Sequence, residues 1–282
     1  MANELQAQPQ NRDIAAYMAD AATKNYIAKA VGESNAQTFV SSIISAVQAT
    51  PALKQCTNSS IVSAALLGNS LNLSPSPQMG FYYMVPYDNK NLGVKEAQFQ
   101  MGYKGYIQLA NRSGQYRRLN VVEVKEGELI SYNPFDEEIK LKLIEDYETR
   151  KDAKTIGYYA MMELVNGFRK SIYWSRDEME DHARTYSAGY RSDLKDGKKN
   201  TFWSKNFRDM AYKTMLRQLI SKWGPMSTDM QMATVNDMAV IRDSGEPDYV
   251  DNQEDVIDTP NPLFQEVPVE ADKGEVKGAN KQ

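Results

Sequence analysis

The chain has 282 residues, of which 41% are hydrophobic and 25% charged, and this is the composition of a globular protein with one or two domains. A single cysteine and a single histidine exclude an internal disulfide and a zinc site of the usual Cys/His kind. No apolar run approaches the roughly 20 residues that cross a bilayer, and the first residues lack the basic and apolar regions of a signal peptide. We therefore expect a cytoplasmic protein.

The net charge of −4 is unevenly distributed along the chain. From Asp243 onward there are 11 acidic residues and three lysines, which leaves 30 basic and 26 acidic residues in residues 1–242. The body is therefore mildly basic and the C-terminal part strongly acidic. Residues 243–282 are rich in Asp, Glu, Pro and Gly without apolar periodicity, which predicts a disordered tail. Its one apolar segment, residues 257–264, is a candidate binding peptide.

The first third of the chain reads as helical. Residues 1–10 are polar and predicted to be disordered, whereas the apolar spacing over 13–31, 34–49 and 59–73 predicts three helices. We interpret residues 1–33 as a polar segment and helix that contacts other subunits. Residues 34–242 then form the functional core.

The stretch from residue 80 to 128 organises the rest. Aromatic and β-branched residues predict strands over 81–85 and 94–101, joined by a polar turn at Asp88 and Asn89. A short helix is predicted over 103–112, ended by Ser113 and Gly114, and a strand over 115–125. Cations and tyrosines alternate here with almost no acidic residue between positions 97 and 122.

The second half of the chain continues with short strands and then helices. Strands are predicted over 130–132, 139–144 and 156–164, and Asn166-Gly167 predicts a hairpin leading into 168–174. Ser175 and Glu178 form a capping box that begins a helix. Residues 189–200 are predicted to be a cation-rich loop, 201–223 a kinked helix, and 227–242 a last helix. The predicted fold class is α+β, a small, mainly antiparallel sheet packed with helices.

Motifs for nucleotide chemistry are missing from the sequence. It contains neither G-x-x-x-x-G-K-[ST] nor G-x-G-x-x-G, so it shows no means of binding ATP through those motifs. His182 lies in a charged segment without a glycine elbow, which disfavours a nucleophile–histidine triad. A metal-dependent nuclease that uses Asp136, Glu137 and Glu138 stays open as an alternative, although these carboxylates crowd one turn.

Nucleic-acid binding is the function that the clusters favour. Cations neutralise phosphates, and aromatic faces stack on bases without regard to sequence. Seventeen tyrosines are present, and several stand among the cations. The candidate contacts are Tyr103, Lys104, Tyr106, Gln108, Arg112, Arg117, Arg118, Arg191, Lys198, Lys199, Lys205, Arg208, Lys213 and Arg217.

Two ordered blocks also carry a family resemblance. The first contains Val85-Pro86-Tyr87, the run 102–105 (GYKG), the run 112–114 (RSG) and the run 126–128 (EGE). The second, residues 203–223, is a tryptophan-bounded helix that contains the pair Lys213-Thr214. Over roughly residues 35 to 240 the chain resembles the RecT family of phage single-strand annealing proteins.

The resemblance implies an ATP-independent protein without catalytic residues or a cofactor, which leaves a role for Mg²⁺ open. Such a protein oligomerises as a ring or helical filament on single-stranded DNA and pairs it with a complementary strand during phage homologous recombination. The resemblance further implies two partners, a 5′–3′ exonuclease and the single-strand binding protein of a bacterial host. We expect the acidic tail either to bind these partners or to restrain nonspecific contact with DNA. A passive single-strand binding protein is the main alternative, and the nuclease is the lesser one.

Overall fold

The computed structural model describes residues 13–242 and the backbone of residues 247 and 248. The N-terminal helices are α1 (Ile14–Ala19), α2 (Ala21–Val31), α3 (Glu33–Ala49) and α4 (Asn58–Ser70), with a 3₁₀ helix (Pro51–Gln55) before α4. The single helix predicted over 13–31 is thus divided at Asp20. Its carboxylate accepts hydrogen bonds from the backbone N–H groups of Ala22 and Thr23, so Asp20 begins α2 as an N-cap.

The organising stretch folds as predicted. Strand β1 (Tyr82–Asn89) pairs antiparallel with β2 (Val94–Met101), and α5 (Tyr103–Ser113) leads into β3 (Tyr116–Lys125). Asn89 shapes the hairpin turn by accepting hydrogen bonds from the backbone N–H groups of Asn91 and Leu92. Gly114 ends α5 in the left-handed conformation, with φ 67°.

The main sheet has three antiparallel strands in the order β3–β6–β7, where β6 is Thr155–Leu164 and β7 is Arg169–Ser175. Between β3 and β6 lie a separate hairpin, β4 (Leu129–Asn133) with β5 (Glu138–Leu141), and a short helix α6 (Tyr147–Asp152). The predicted hairpin at Asn166-Gly167 is confirmed, as is the capping box at Ser175 that begins α7 (Arg176–Tyr186).

The prediction of a loop over 189–200 was wrong. Ser187 caps a helix, α8 (Ala188–Asp196), which Gly197 ends at φ 66°. The predicted kink in the next helix is a break at Asn206, between α9 (Phe202–Lys205) and α10 (Phe207–Trp223). The last helix, α11 (Thr228–Val235), ends earlier than expected, and β8 (Val240–Ile241) follows and pairs with β9 (Pro247–Asp248).

Helix α10 is the centre of the molecule. It packs against β6 on one side and α5 on the other, and Met215, Leu216, Leu219 and Ile220 are buried. The same core includes Ile14, Met18 and Ile27, so α1 and α2 pack onto it. The α+β class is confirmed, whereas the predictions for residues 1–10 and for the tail after residue 242 lie almost wholly outside the described residues.

Over the described part of the chain, every helix is too short or too polar to span a bilayer.

Candidate nucleic-acid interface

Helix α5 begins so close to β1 that only glycine fits at two positions. A Cβ atom on Gly102 would stand 2.1 Å from the carbonyl oxygen of Gly80, and one on Gly105 would stand 2.2 Å from that of Phe81. The two glycines of the GYKG run are therefore required by backbone packing. Between them, Tyr103 and Lys104 stand on the first turn of α5, and Lys104 is exposed.

A cleft of about 40 Å³ lies beside this first turn, between β1 and the start of α10. Tyr83, Tyr103 and Phe202 of α9 form its aromatic walls. We call this cleft the aromatic cleft. The rings of Tyr83 and Phe202 lie 5.3 Å apart, and Tyr103 packs edge-on against Tyr212 at 5.6 Å. Burial raises the pKa of Tyr83, with smaller contributions from Asp209 and Tyr103, so its hydroxyl is neutral at physiological pH.

The electrostatics at the rim of the aromatic cleft favour an anion. Lys104, Lys205 and Arg208 are exposed, and each is the sequence neighbour of a residue that lines the cleft, Tyr103, Asn206 and Asp209 respectively. We call these three cations the rim of the cleft. The first turn of α5 contains no acidic residue. A helix N-terminus presents unpaired N–H groups and the positive end of the helix dipole. One carboxylate, Asp209, lines the cleft, but it already accepts a hydrogen bond from Asn206 at 2.7 Å and lies 3.5 Å from Arg208.

The turn that carries Lys198 and Lys199 is held in place by one buried carboxylate. Asp193 accepts hydrogen bonds from the N–H groups of Asn200 and Thr201 at 2.9 and 2.8 Å, and from the hydroxyls of Thr201 and Ser204. Burial by itself would raise the pKa of Asp193, but these hydrogen bonds outweigh it and lower the pKa to about 2. The backbone between the two exposed lysines and Phe202 is thereby held in place.

Two of the predicted DNA contacts, Tyr106 and Lys213, are instead buried against Asp237. The ammonium of Lys213 lies 2.8 Å from Asp237, and the hydroxyl of Tyr106 donates to the same carboxylate at 3.3 Å. Burial lowers the pKa of Lys213, and Asp237 opposes that shift. Tyr106 is fully buried and Lys213 is only 5% exposed, so both side chains hold α5 and α10 to Asp237 in this structure.

Asp237 joins several elements at this point. Besides Lys213 and Tyr106 it accepts a hydrogen bond from the backbone N–H of Met101 at 2.9 Å, and Arg217 lies 3.8 Å away. We call these residues the Asp237 cluster. It connects the end of β2, α5, α10 and the turn after α11, and two of its members, Met101 and Lys213, line the aromatic cleft.

Several predicted arginines bind the protein backbone at other places. Arg112 donates to the carbonyls of Leu71 and Asn72 at the end of α4, and Arg191 donates to those of Arg184 and Thr185 at the end of α7. Arg217 belongs to the Asp237 cluster, and Gln108 is half-buried on α5. The structure does not bring these four to the aromatic cleft.

Arg117 and Arg118 lie elsewhere again, on the sheet. The register of β3 against β6 shifts between Tyr116 and Arg118, and both arginines lie near Glu163, at 3.2 and 3.9 Å. Because side chains alternate along a strand, Glu163 points away from the face where Met162 and Leu164 join the core. These two cations therefore lie on the main sheet, away from the aromatic cleft.

Residues 136–138 do not form the assembled metal site that the nuclease alternative requires. Asp136 accepts hydrogen bonds from Asn133 and from the backbone of Glu138, Glu137 pairs with Lys170, and Glu138 pairs with Lys140. Each carboxylate thus has its own partner around the β4–β5 turn. Within residues 13–242, three or more His, Cys, Asp or Glu side chains are nowhere gathered as metal ligands.

Sequence reasoning missed Tyr83, Phe202 and Asp237. Tyr83 follows the buried Tyr82 in the sequence, and Phe202 precedes the buried Trp203. Alternation along β1 could have shown that Tyr83 faces away from the core. Asp237 gave no signal, because it meets Lys213 only through the packing of α11.

Aromatic side chains between exposed cations, next to a helix N-terminus, are typical of proteins that hold single-stranded nucleic acid by phosphates and stacked bases. A model of the RecT family matches residues 37–255. The protein RecT of Escherichia coli (strain K12) is 30% identical over 238 residues, which cover 83% of this chain and 84% of that protein. The uncharacterized protein YqaK of Bacillus subtilis (strain 168) is 38% identical over 199 residues, or 71% of this chain and 63% of YqaK.

The chain thus belongs to the RecT family, and the resemblance found in the sequence is confirmed. The match spans a little less than two thirds of the length of YqaK.

Proposed function

We propose that the protein is an ATP-independent single-strand annealing protein, which coats one DNA strand and pairs it with a complementary strand in phage homologous recombination. The observation that carries the proposal is the aromatic cleft with Lys104, Lys205 and Arg208 at its rim. Membership of the RecT family supports it.

The charges at this cleft suit annealing because they act on the DNA backbone. Two strands repel each other through their phosphates, and cations that neutralise those phosphates lower the repulsion. Base pairing then supplies the free energy, so no nucleotide hydrolysis is needed. Contacts to phosphate carry no sequence information, and the strand can therefore have any sequence.

The size of the cleft decides how bases would be held. The cleft is small, at about 40 Å³, so we place the bases outside it. Bases would instead stack on the rim, where Phe202 is 37% exposed. Stacking on a rim leaves the pairing edges of the bases free for a second strand.

Assembly and partners are further parts of the proposal. We assign subunit contacts in a ring or filament to residues 1–33. We assign the binding of a 5′–3′ exonuclease and of the single-strand binding protein of a bacterial host to residues 243–282. Deletion of residues 243–282 is expected to abolish partner pull-down, and unchanged pull-down and DNA affinity would refute the role of this segment.

The decisive experiment measures annealing of two complementary oligonucleotides by energy transfer, without nucleotide and with about one protein per few bases. Annealing faster than the protein-free rate is the expected result. Tight binding combined with slower annealing would identify a passive coat instead. Cleaved products on a gel with Mg²⁺ would identify a nuclease.

A further inference from the structure

The β4–β5 hairpin presents a phenylalanine at its tip. Phe135 is 97% exposed, and although single exposed apolar residues are common on proteins, the backbone that carries this one is fixed. Its N–H donates to the side chain of Asn133 at 3.1 Å, and Asn133 donates to Asp136 at 2.7 Å. Asp136 also accepts the N–H of Glu138 at 3.0 Å. The phenyl ring is therefore offered by an ordered turn, which reduces the entropy lost when a partner binds it.

Two contacts hold the hairpin against the main sheet. Tyr132 of β4 packs edge-on against Tyr173 of β7, with the ring centres 5.3 Å apart. Glu137 in the turn forms an ion pair with Lys170, which also belongs to β7. Because β7 is an outer strand of the sheet, the tip of the hairpin lies at that edge.

A cleft of about 260 Å³ lies at the other end of the same hairpin, and we call it the hairpin cleft. Its apolar lining is formed by Val122 and Val124 of β3, Tyr159 of β6, and Leu141 and Leu143 at and after the end of β5. The outer strand β3 lies opposite β7, so the hairpin cleft and the tip are at opposite edges of the sheet. An apolar cavity of about 150 Å³ already holds a benzene ring, so the hairpin cleft has room for a phenyl group.

One buried carboxylate holds the walls of the hairpin cleft together. Glu128 is 5% exposed and accepts a hydrogen bond from Arg150 of α6 at 2.6 Å. It also accepts the backbone N–H groups of Lys125 at 2.9 Å and of Ile144 at 3.4 Å. The end of β3, the segment after β5 and α6 are thereby joined at one point. The hairpin cleft is thus pre-formed, as binding sites usually are.

The charges of the tip and of the hairpin cleft are opposite. Residues 133–138 contain three acidic residues and no basic one. The cations Lys142 and Arg150 line the hairpin cleft, and Lys142 is exposed. The carboxylates that line it, Glu123 and Glu128, each belong to an ion pair within the chain. The tip therefore fits the hairpin cleft in charge as well as in size.

Phe135 cannot occupy the hairpin cleft of its own chain. Leu141 lines the cleft and pairs with Leu129 at the base of the hairpin, whereas Phe135 stands in the turn at the far end. A second copy of the chain can supply the ring instead. Such a contact joins two different surfaces, so each copy offers one tip and one cleft, and the contact repeats along a ring or filament.

We infer that Phe135 of one copy seats in the hairpin cleft of the next copy, with the acidic tip residues against Lys142 and Arg150. The inference rests on the proposed function for assembly on DNA, and it adds a contact outside residues 1–33. Neither the walls nor the rim of the aromatic cleft take part in it. The contact between copies therefore leaves the proposed DNA surface free.

Disulfide trapping between two full-length variants tests this contact. The one cysteine of the sequence, Cys56, is fully buried, so F135C and L143C each add one accessible thiol. The two variants are mixed, one of them with a size tag, bound to oligo-dT and oxidised mildly. On a non-reducing gel we expect at least about tenfold more mixed dimer than either homodimer, because the contact joins unlike surfaces. The double variant F135C/L143C should give a ladder of longer multimers.

The matched control is L92C, in the turn of the β1–β2 hairpin. Leu92 is 60% exposed and Leu143 is 64% exposed, so their replacement gives thiols of similar accessibility. Mixed with F135C, the control should form only the dimer that random collision produces. Equal trapping of F135C by L92C and L143C would overturn the inference.

A second measurement removes the anchor without any cross-link. Phe135→Ser should weaken self-association roughly 30-fold in sedimentation, as the loss of a central aromatic anchor does. Leu92→Ser should leave self-association unchanged. Because both side chains are exposed, thermal melts of the two variants should match wild type. Self-association of Phe135→Ser at the wild-type level would contradict a seated ring.

The remaining outcomes separate other occupants and the proposed function. Homodimers of F135C in place of the mixed dimer would show a symmetric contact and overturn the inference. Trapping of L143C by F264C instead of F135C would assign the hairpin cleft to the apolar segment 257–264. Annealing is measured on wild type in parallel. Normal annealing without mixed dimers would refute this inference alone, and mixed dimers without annealing would refute the proposed function alone.

Discussion

The first turn of helix α10 and the turns that follow it use the same residue types in opposite ways. In the first turn, Arg208 is exposed at the rim of the aromatic cleft, next to Lys205 at the end of α9. One to two turns later, Lys213 and Arg217 point inward to Asp237. A basic helix is therefore not by itself a nucleic-acid surface.

The difference arises from what covers each part of the helix. The segment after α11 places Asp237 over Lys213, and a buried lysine must have such a partner because an unpaired charge in the interior is very costly. In the first turn of the helix, Arg208 lies 3.5 Å from its half-buried neighbour Asp209 and keeps 59% of its side chain exposed. Exposed cations can bind phosphate, whereas buried ones fix the fold.

The largest expected effect comes from removing the buried ion pair between Lys213 and Asp237. Lys213→Met keeps the volume of the side chain but leaves Asp237 without its closest cation. Removing one partner of a buried ion pair costs about 3–5 kcal/mol, which chemical denaturation would measure as lower free energy of unfolding. Its control, Lys205→Met, should leave stability within about 0.5 kcal/mol of wild type. Wild-type stability of Lys213→Met with weakened DNA binding would restore Lys213 as a direct contact.

The next effect is a dependence of stability on pH. Burial lowers the pKa of His182 to about 4, with a smaller contribution from Arg217, against 6.5 in an unfolded chain. Between pH 4 and 6.5, His182 therefore binds a proton in the unfolded chain but not in the folded protein. Stability should be full above pH 6.5 and fall by up to about 3 kcal/mol as the pH drops towards 4.

His182→Gln isolates this effect, because the chain contains no other histidine. We expect the difference in unfolding free energy between wild type and variant to shrink as the pH falls from 6.5 to 4. A constant difference over that window would show that His182 has the same pKa in the folded and the unfolded protein.

A third prediction concerns the packing that presents Tyr103 and Lys104. Gly105→Ala would ordinarily strengthen a helix by up to about 1 kcal/mol. Here the new Cβ would meet the carbonyl of Phe81 at 2.2 Å, so we expect a loss of about 1–3 kcal/mol in urea unfolding. Asn111→Ala, on the exposed side of the same helix, serves as the control. A stabilised Gly105→Ala would show that α5 can move away from β1.

The smallest effect per residue is expected for the exposed cations Lys205 and Arg208. Lys205→Ala and Arg208→Ala should each lower the slope of log affinity against log salt for oligo-dT by about 0.7, while stability stays unchanged. Lys140→Ala is the control, since it is exposed and ion-paired like Arg208 but lies on the β4–β5 hairpin. Equal slopes in all three variants would place the strand away from the aromatic cleft.

Local signals predicted most of the elements. The strands and helix between residues 81 and 125 follow from alternation, a polar turn and a glycine stop, all of which act within a few residues. Residues 189–200 were misread because charge and two glycines suggested a loop. Ser187 and Gly197 are in fact the start and stop of a helix that buries Tyr190.

The site was harder to predict than the fold. Tyr103, Lys104, Lys205 and Arg208 are predicted as contacts because cations and tyrosines stand together in the sequence. Whether a cation is exposed, however, depends on distant partners, such as Asp237 for Lys213 and Glu163 for Arg117. A pattern in one sequence does not show which distant residues contact each other, because tertiary packing determines those contacts.

The position of Asp237 also constrains how the protein can be made. Its carboxylate meets Met101, Tyr106 and Lys213, which precede it by 136, 131 and 24 residues. A chain emerging from the ribosome cannot neutralise Lys213 in this way until nearly all of residues 13–242 have been synthesised. The wall of the aromatic cleft is therefore completed only after Asp237 has been synthesised and has folded back onto β2, α5 and α10.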